Sequence, residues 1–208
     1  MSNIIKFGNA NLPTAAALAE SLRSLPASDV MDKVILKMDK TGHWVYGADQ
    51  TEIDPEGRWA VNPFSFVKGY IAWGEGEVLA EKMVAINEPL PELDVPPPGA
   101  KRGWEQQIGM SVKCLDGDDK GVEARYAVTS TGGKRAMHAL AMRVAEQVEK
   151  DQTRPVAVVK LGKDHYQHKS YGRVYTPVFD VVDWMSLDGE TDNAEGNASA
   201  DTGRRRRG

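Results

Sequence analysis

Stretches rich in aromatic and β-branched residues, separated by turn residues, recur along most of the chain. Such stretches predict β-strands, because branched and aromatic side chains pack well on a pleated, half-buried surface. The sequence Asp-Gly-Asp-Asp-Lys-Gly at 116–121 separates two of them and indicates a hairpin turn. The eight predicted strands cover 30–38, 43–47, 58–62, 66–73, 108–115, 122–128, 154–162 and 171–184.

Two further stretches predict α-helices. The first covers 12–25, with Asn11 as a candidate cap and Pro13 in the first turn. The second covers 133–150, where apolar residues recur at the spacing of one helix face. Strands and helices that do not alternate predict an α+β fold with a mostly antiparallel sheet. Short strands with one inserted helix favour an OB-like, partly open barrel with one or two helices, and a β-sandwich is the alternative.

Composition divides the chain into three parts. Residues 1–29 form an N-terminal helical segment, 30–187 a strand-rich domain, and 188–208 a tail. Five prolines within 88–103 predict an extended connector inside the domain. The tail has no bulky apolar residue that could offset its ordering entropy, so we expect it to be disordered.

Several protein classes are disfavoured by composition. A single cysteine, Cys114, excludes a disulfide framework and a cysteine-held zinc site. No apolar run approaches the roughly 20 residues that a membrane-spanning helix needs. The N-terminal sequence MSNIIKFGNANLP lacks the basic-then-apolar order of a secretory signal. We therefore expect a cytoplasmic protein that does not enter a membrane.

The net charge of −4 hides an uneven distribution. Five acids lie within 188–203 and are followed by a block of four arginines, Arg204–Arg207. Without these nine residues, the totals of 26 basic and 30 acidic residues fall to 22 and 25. A nearly balanced body does not bind nucleic acid through bulk charge, so such a site requires a local stripe of cations.

Four patterns superficially resemble catalytic or metal sites. On a strand, His165 and His168 would point to opposite faces, and no third ligand is near in sequence. The acidic loop 116–121 lacks the acceptor and the glutamate that a calcium loop needs. Residues 130–134 lack the first glycine of a phosphate loop, and Cys114 lies in an apolar strand. We therefore expect no enzyme activity, no cofactor and no metal site.

The most informative stretch is 160–175, KLGKDHYQHKSYGRVY, in which basic and aromatic residues are interleaved. If 169–175 is a strand, four of these basic and aromatic residues project to one face, since side chains alternate along a strand. These four are Lys169, Tyr171, Arg173 and Tyr175. Such a face suits single-stranded nucleic acid, because cations neutralise successive phosphates and flat rings stack on unpaired bases. An ordinary solvent-facing strand explains the composition equally well. The remaining candidates in this stretch are Lys160, Lys163 and Tyr166.

Weaker nucleic-acid-binding candidates lie elsewhere. Lys68 and Tyr70 share one face of the strand predicted at 66–73. Lys134 and Arg135, at the start of the second predicted helix, are placed to contact a phosphate.

The five tryptophans are a high number for a domain of this size. We expect Trp73 and Trp184 to be core anchors. For Trp44, Trp59 and Trp104, buried packing is favoured over exposed stacking platforms.

Three blocks carry a resemblance to known proteins: ILKMDKTGHWVYGADQTEID, RWAVNPFSFVKGYIAW and YQHKSYGRVYTPVFDVVDW. Through them, residues 30–185 resemble a group of bacteriophage and prophage proteins encoded in replication gene clusters, and single-stranded DNA-binding proteins of OB-like fold. The resemblance implies a phage origin and a location in the host cytoplasm. It also implies sequence-tolerant binding of single-stranded DNA during phage replication or recombination.

The tail has a role in this interpretation. In many single-stranded DNA-binding proteins an acidic tail competes with DNA for the binding groove and recruits replication proteins, so 188–208 is a candidate for both roles. The ending RRRRG departs from the usual acidic tip. Two other functions stay open: a phage structural or host-takeover protein whose Tyr/Lys face binds a protein, and, less favoured, a nuclease. Homo-oligomer formation is compatible with each.

Overall fold

The computed structural model describes residues 33–189; the predicted helix at 12–25 and the tail from 190 onward lie outside this range. Within it, ten strands form one sheet, accompanied by one helix, α1 (Thr131–Lys150). The strands are β1 (Val34–Met38), β2 (Trp44–Tyr46), β3 (Thr51–Glu52), β4 (Arg58–Val61), β5 (Val67–Gly74), β6 (Glu77–Ala85), β7 (Trp104–Cys114), β8 (Glu123–Val128), β9 (Val156–His168) and β10 (Gly172–Met185).

All eight predicted strands are present, and two elements were missed. β3 is only two residues long. β6 has the sequence EVLAEKMVA, whose glutamates, alanines, leucine, lysine and methionine favour helices. Pairing with β5 along its whole length makes it a strand. Local propensity is overridden there by tertiary pairing.

The strand order is β10-β9-β4-β7-β8-β1-β2-β3, and β5 joins β6 to β7. Among the described strands, β1 and β8 form the single parallel pair. Two strands that are far apart in this order nevertheless meet in space. The ring centroids of Trp44 on β2 and Phe179 on β10 are 5.7 Å apart. The sheet is therefore curled into a half-barrel. The prediction of an α+β fold with a mostly antiparallel sheet is confirmed.

A corner at 62–65 separates β4 from β5 along one edge of β7. The Ser65 hydroxyl accepts a hydrogen bond from the Ser111 N–H at 2.8 Å, and the Asn62 N–H donates to the Ser111 carbonyl at 3.1 Å. These bonds satisfy the edge of β7 between the stretches that pair with β4 and with β5. Beyond the corner the two strands diverge, β4 pairing with β9 and β5 with β6.

The main core lies on the inner face of the curl. Three aromatic rings from β2, β8 and β10 meet there, with centroids 5.3 to 5.7 Å apart. They belong to Trp44, Tyr126 and Phe179. The helix adds Met137, Leu140 and Val144, which recur on one helix face and are buried.

Helix α1 begins two residues before its predicted start. Ser130 caps it, because its Oγ accepts a hydrogen bond from the Gly133 N–H at 3.2 Å. A Cβ atom on Gly132 would lie 2.5 Å from Cγ2 of Thr176, so the first turn of the helix lies against β10. Among residues 33–189, the helix lacks the long apolar stretch required to cross a membrane.

One hydrogen bond ties the start of the curl to its other side. The indole N–H of Trp44 on β2 donates to the carbonyl of Gly162 on β9 at 2.8 Å, and the ring is only 4% exposed. Buried polar groups are costly when unpaired, so this bond fixes where the β1–β2 hairpin meets β9.

We expect Trp44→Phe to lower the free energy of unfolding by about 2–4 kcal/mol, because a partly buried carbonyl loses its donor and the smaller ring leaves a cavity in the core. Trp104→Phe is a matched control, since the Trp104 indole donates to the Asp94 carbonyl at the same 2.8 Å but at an exposed position. Its cost should stay below about 1.5 kcal/mol. Urea unfolding followed by circular dichroism measures both, and equal losses would contradict the role of Trp44.

Candidate nucleic-acid interface

The β9–β10 hairpin extends beyond the core. Leu161 pairs with Phe179 and both are buried, whereas the next pair on that face joins exposed Lys163 to buried Pro177. From there to the turn, the β9 side chains are almost all exposed and several β10 side chains are half-buried. We call residues 163–177 the arm. It is the only part of β9 and β10 in which basic and aromatic residues are concentrated.

The strand register divides the arm between two faces. Arg173 pairs with Gln167, and Tyr175 pairs with His165. Paired side chains in an antiparallel ladder project to the same face, and Lys163 continues that face by alternation. Tyr166 pairs with Val174 and lies on the opposite face. The two strand cations of the arm, Lys163 and Arg173, therefore share one face with Tyr175, and the Tyr166 ring lies on the other.

The predicted strand 169–175 is wrong at its start. β10 begins at Gly172, and residues 169–171 form the turn. Gly172 has a φ of +72°, a left-handed conformation that glycine adopts without strain. Strand alternation therefore places only Arg173 and Tyr175 on a common face, while Lys169 and Tyr171 lie at the tip.

His168 organises the tip of the arm. Its Nδ1 accepts hydrogen bonds from the backbone N–H groups of Ser170, at 3.1 Å, and Tyr171, at 3.3 Å. A ring nitrogen that accepts is unprotonated, so the neutral imidazole carries its proton on Nε2. The His168 and Tyr171 rings are 4.7 Å apart and inclined by 31°. Tyr171 is nevertheless 80% exposed, so most of its ring is open to solvent.

Tyr175 is held in place from three sides. A Cβ on Gly42 would lie 2.6 Å from its Cδ1, the Lys163 ammonium lies 5.5 Å from its ring centroid, and the His165 ring lies 5.8 Å away. Gly42 also has a φ of +83°, so glycine is required there for both conformation and space. Tyr175 therefore anchors the arm to the β1–β2 turn, which leaves Tyr166 and Tyr171 as the exposed tyrosines of the arm.

Three cations of the arm have no acidic partner within residues 33–189. Lys163, Lys169 and Arg173 make none of the ion pairs found in that range. The single acid of the arm, Asp164, accepts a hydrogen bond from the neighbouring His165 N–H at 2.7 Å. Cations without carboxylate partners are available to bind an anion.

Lys160 differs from these cations. Its ammonium donates to Glu56 Oε2 at 2.6 Å, and this hydrogen bond raises the pKa of the lysine. Its charge is thus compensated within the protein. The sequence pattern does not distinguish Lys160 from Lys163, but in the structure Lys160 has an acidic partner and Lys163 has none among residues 33–189.

The weaker candidates occupy other elements. Lys68 and Tyr70 lie on one face of β5, both half-buried, and β5 pairs with β6 and β7 rather than with the arm. Arg135 is exposed and Lys134 half-buried in the first turn of α1. The contact of that turn with β10 brings this pair toward the base of the arm.

The acidic loop at 116–121 has a structural role. Asp116 accepts hydrogen bonds from the N–H and Nε of Arg58, and buried Asp119 accepts them from the Tyr46 hydroxyl and the Asp54 N–H. These four bonds tie the predicted hairpin turn to neighbouring segments. Cys114 is buried as expected, and burial raises the pKa of its thiol, which disfavours the reactive thiolate.

Sequence reasoning missed the roles of His165, Gln167 and His168, because it treated the histidines only as metal ligands. Within residues 33–189, no three metal-ligating side chains lie close enough together to hold an ion. The cross-strand register brings His165 and Gln167 to the face of Arg173 and Tyr175. The sequence signal was Lys169-Ser170-Tyr171-Gly172, a turn followed by a glycine, which fixes this register.

The burial of most tryptophans agrees with the sequence predictions, but that of Trp73 does not. Trp44 and Trp59 are buried, in agreement with the favoured alternative, and Trp184 packs against the core. Trp73 is 38% exposed, so its prediction as a core anchor is wrong. It lies near the end of β5, beside a shift in the register of the β5–β6 pairing, and Trp104 pairs nearby with Ala72.

Comparison with protein-family models, with curated proteins and with solved structures finds no match.

Proposed function

We propose that the protein binds single-stranded DNA through the arm, with little sequence preference, in phage DNA replication or recombination. The observation that carries this proposal is the combination of three uncompensated cations with exposed Tyr166 and Tyr171 on one protruding hairpin. Phosphates attract the cations, and each unpaired base offers a flat surface to the rings.

Single strands fit this arrangement better than duplex. The Tyr171 ring projects from the tip, and a ring at that place stacks only on a base that is free of its partner. A two-stranded ribbon also fits the major groove of duplex DNA, but there it reads base edges with polar side chains. The exposed ring therefore favours the single strand.

The half-barrel supports an OB-like interpretation of the domain. OB-folds are small, partly open barrels that bind oligonucleotides through a strand face and adjoining loops. Here the β1–β2 turn contacts the arm through Gly42 and Tyr175, so a strand face and a loop are adjacent. A protein-binding role for the arm is the second candidate, because exposed tyrosines are also common at protein interfaces.

Titration of the protein with a fluorescently labelled 30-nucleotide DNA strand at several salt concentrations tests the proposal. We expect binding to the single strand, weaker binding to duplex, and a log–log salt slope of about −2, since three cations contribute about −0.7 each. Absence of binding at low salt would contradict the proposal and favour the protein-binding role.

The stacking and electrostatic contributions should separate on mutation. Tyr171→Ala should lose about 1–3 kcal/mol of binding free energy at an unchanged salt slope. Lys169→Ala and Arg173→Ala should each reduce the slope by up to about one unit. Lys160→Ala is the matched control, because Glu56 already compensates this lysine, and it should leave the slope unchanged. If Lys160→Ala and Lys169→Ala reduce the salt slope equally, the DNA does not bind along the arm as proposed.

His168 should act as a positioning residue for Tyr171. His168→Ala removes the acceptor that fixes the turn, and we expect about fivefold weaker binding, which corresponds to about one hydrogen bond. His168→Asn supplies a side-chain oxygen that can accept the same backbone N–H groups, so it should recover part of the loss. If both variants bind as tightly as the wild type, the turn geometry is irrelevant to binding.

A further inference from the structure

A small cleft lies beside the arm, between the β1–β2 turn, β3 and β9. Its volume is about 220 Å³. The apolar part of its wall consists of Trp44, Ile53, Pro55 and Leu161, and the polar part of His43, Glu52 and Lys163, with Gly42 and Gly162 between them. Ligand sites commonly combine an apolar wall with a few polar groups in this way, and drug-sized ligands need about 300 Å³ or more. The cleft therefore suits one small group that has both apolar and polar surface.

The turn that forms one wall is rigidly built. Asp39 Oδ1 accepts hydrogen bonds from the Thr41 N–H at 2.8 Å and from the His43 N–H at 2.9 Å. The Thr41 hydroxyl donates to the same carboxylate, and this bond, together with that of His43, holds the pKa of Asp39 below its ordinary value. At neutral pH the carboxylate is thus ionised and the turn is ordered before any ligand arrives. A preformed wall reduces the entropy cost of binding.

We propose that this cleft takes one nucleobase of the DNA strand bound by the arm, and that it prefers a base with an exocyclic amino group. The proposal rests on the proposed function and specifies its ligand. Lys163 connects the two sites, because it belongs to the uncompensated cations of the arm and also lines the cleft. A phosphate held by Lys163 places the adjoining base at the mouth of the cleft.

Glu52 gives the cleft its preference. It lies on β3, its side chain is exposed, and no ion pair within residues 33–189 includes it. An ionised carboxylate only accepts hydrogen bonds, so it pairs with the amino group of cytosine. Thymine has a carbonyl oxygen at that position, and two acceptors facing each other disfavour binding. The preference concerns one nucleotide, while stacking on the arm stays tolerant of sequence.

The test compares the affinities of the full-length protein for dC30 and dT30 at neutral pH, for the wild type and for Glu52→Gln. We expect the wild type to bind dC30 about five- to tenfold more tightly, the range of one polar base contact. Glu52→Gln should bring the two affinities within about twofold, mainly by weakening dC30 binding. Glu77→Gln, an exposed glutamate on β6 outside the cleft, is the matched control and should keep the preference.

The outcomes distinguish the two proposals. Equal wild-type affinities for dC30 and dT30, or a preference that persists in Glu52→Gln, overturn the cleft proposal alone, provided that Tyr171→Ala still weakens binding. Failure of the wild type to bind either strand overturns the arm and the cleft together. Thermal unfolding of Glu52→Gln verifies that the fold is intact, as expected for an exposed side chain.

Discussion

The hydrogen bond from the Trp44 indole to the Gly162 carbonyl is the contact on which the rest of the arrangement depends. It lies where the curled sheet brings β2 against β9, and the same ring packs on Tyr126 and Phe179 in the core. Gly162 is also the residue before the arm begins. One side chain therefore packs in the core and also joins the β1–β2 hairpin to the residue from which the arm extends.

The arm follows from a mismatch between strand length and core size. β9 and β10 are 13 and 14 residues long, and on β9 the inward face ceases to be buried once it passes Leu161. An isolated two-stranded hairpin is only marginally stable in water. Here Tyr175, packed between Gly42, Lys163 and His165, stabilises the base, and His168 fixes the turn. The other positions of the arm are not needed to stabilise it, so charged and exposed aromatic side chains can occupy them.

Much of this fold was predictable from sequence, because its strands have local signatures. The helical spacing of Met137, Leu140 and Val144 placed the start of the helix within two residues of its observed position. The failures have a common physical cause. β6 is a strand because β5 pairs with it, Trp73 is exposed beside a register shift in that pairing, and Lys160 is neutralised by Glu56, 104 residues away in sequence. Each depends on how one element packs against another, which the local pattern of a single segment does not encode.

The most direct measurement is photo-crosslinking of the full-length protein to a single strand containing 5-iododeoxyuridine, followed by mass-spectrometric identification of the modified residues. Binding by the arm predicts crosslinks concentrated at Tyr166, His168 and Tyr171, and their loss when unlabelled strand competes. Crosslinks confined to the β5–β6 hairpin or to α1, with none in the arm, would contradict the assignment of the arm as the DNA-binding surface.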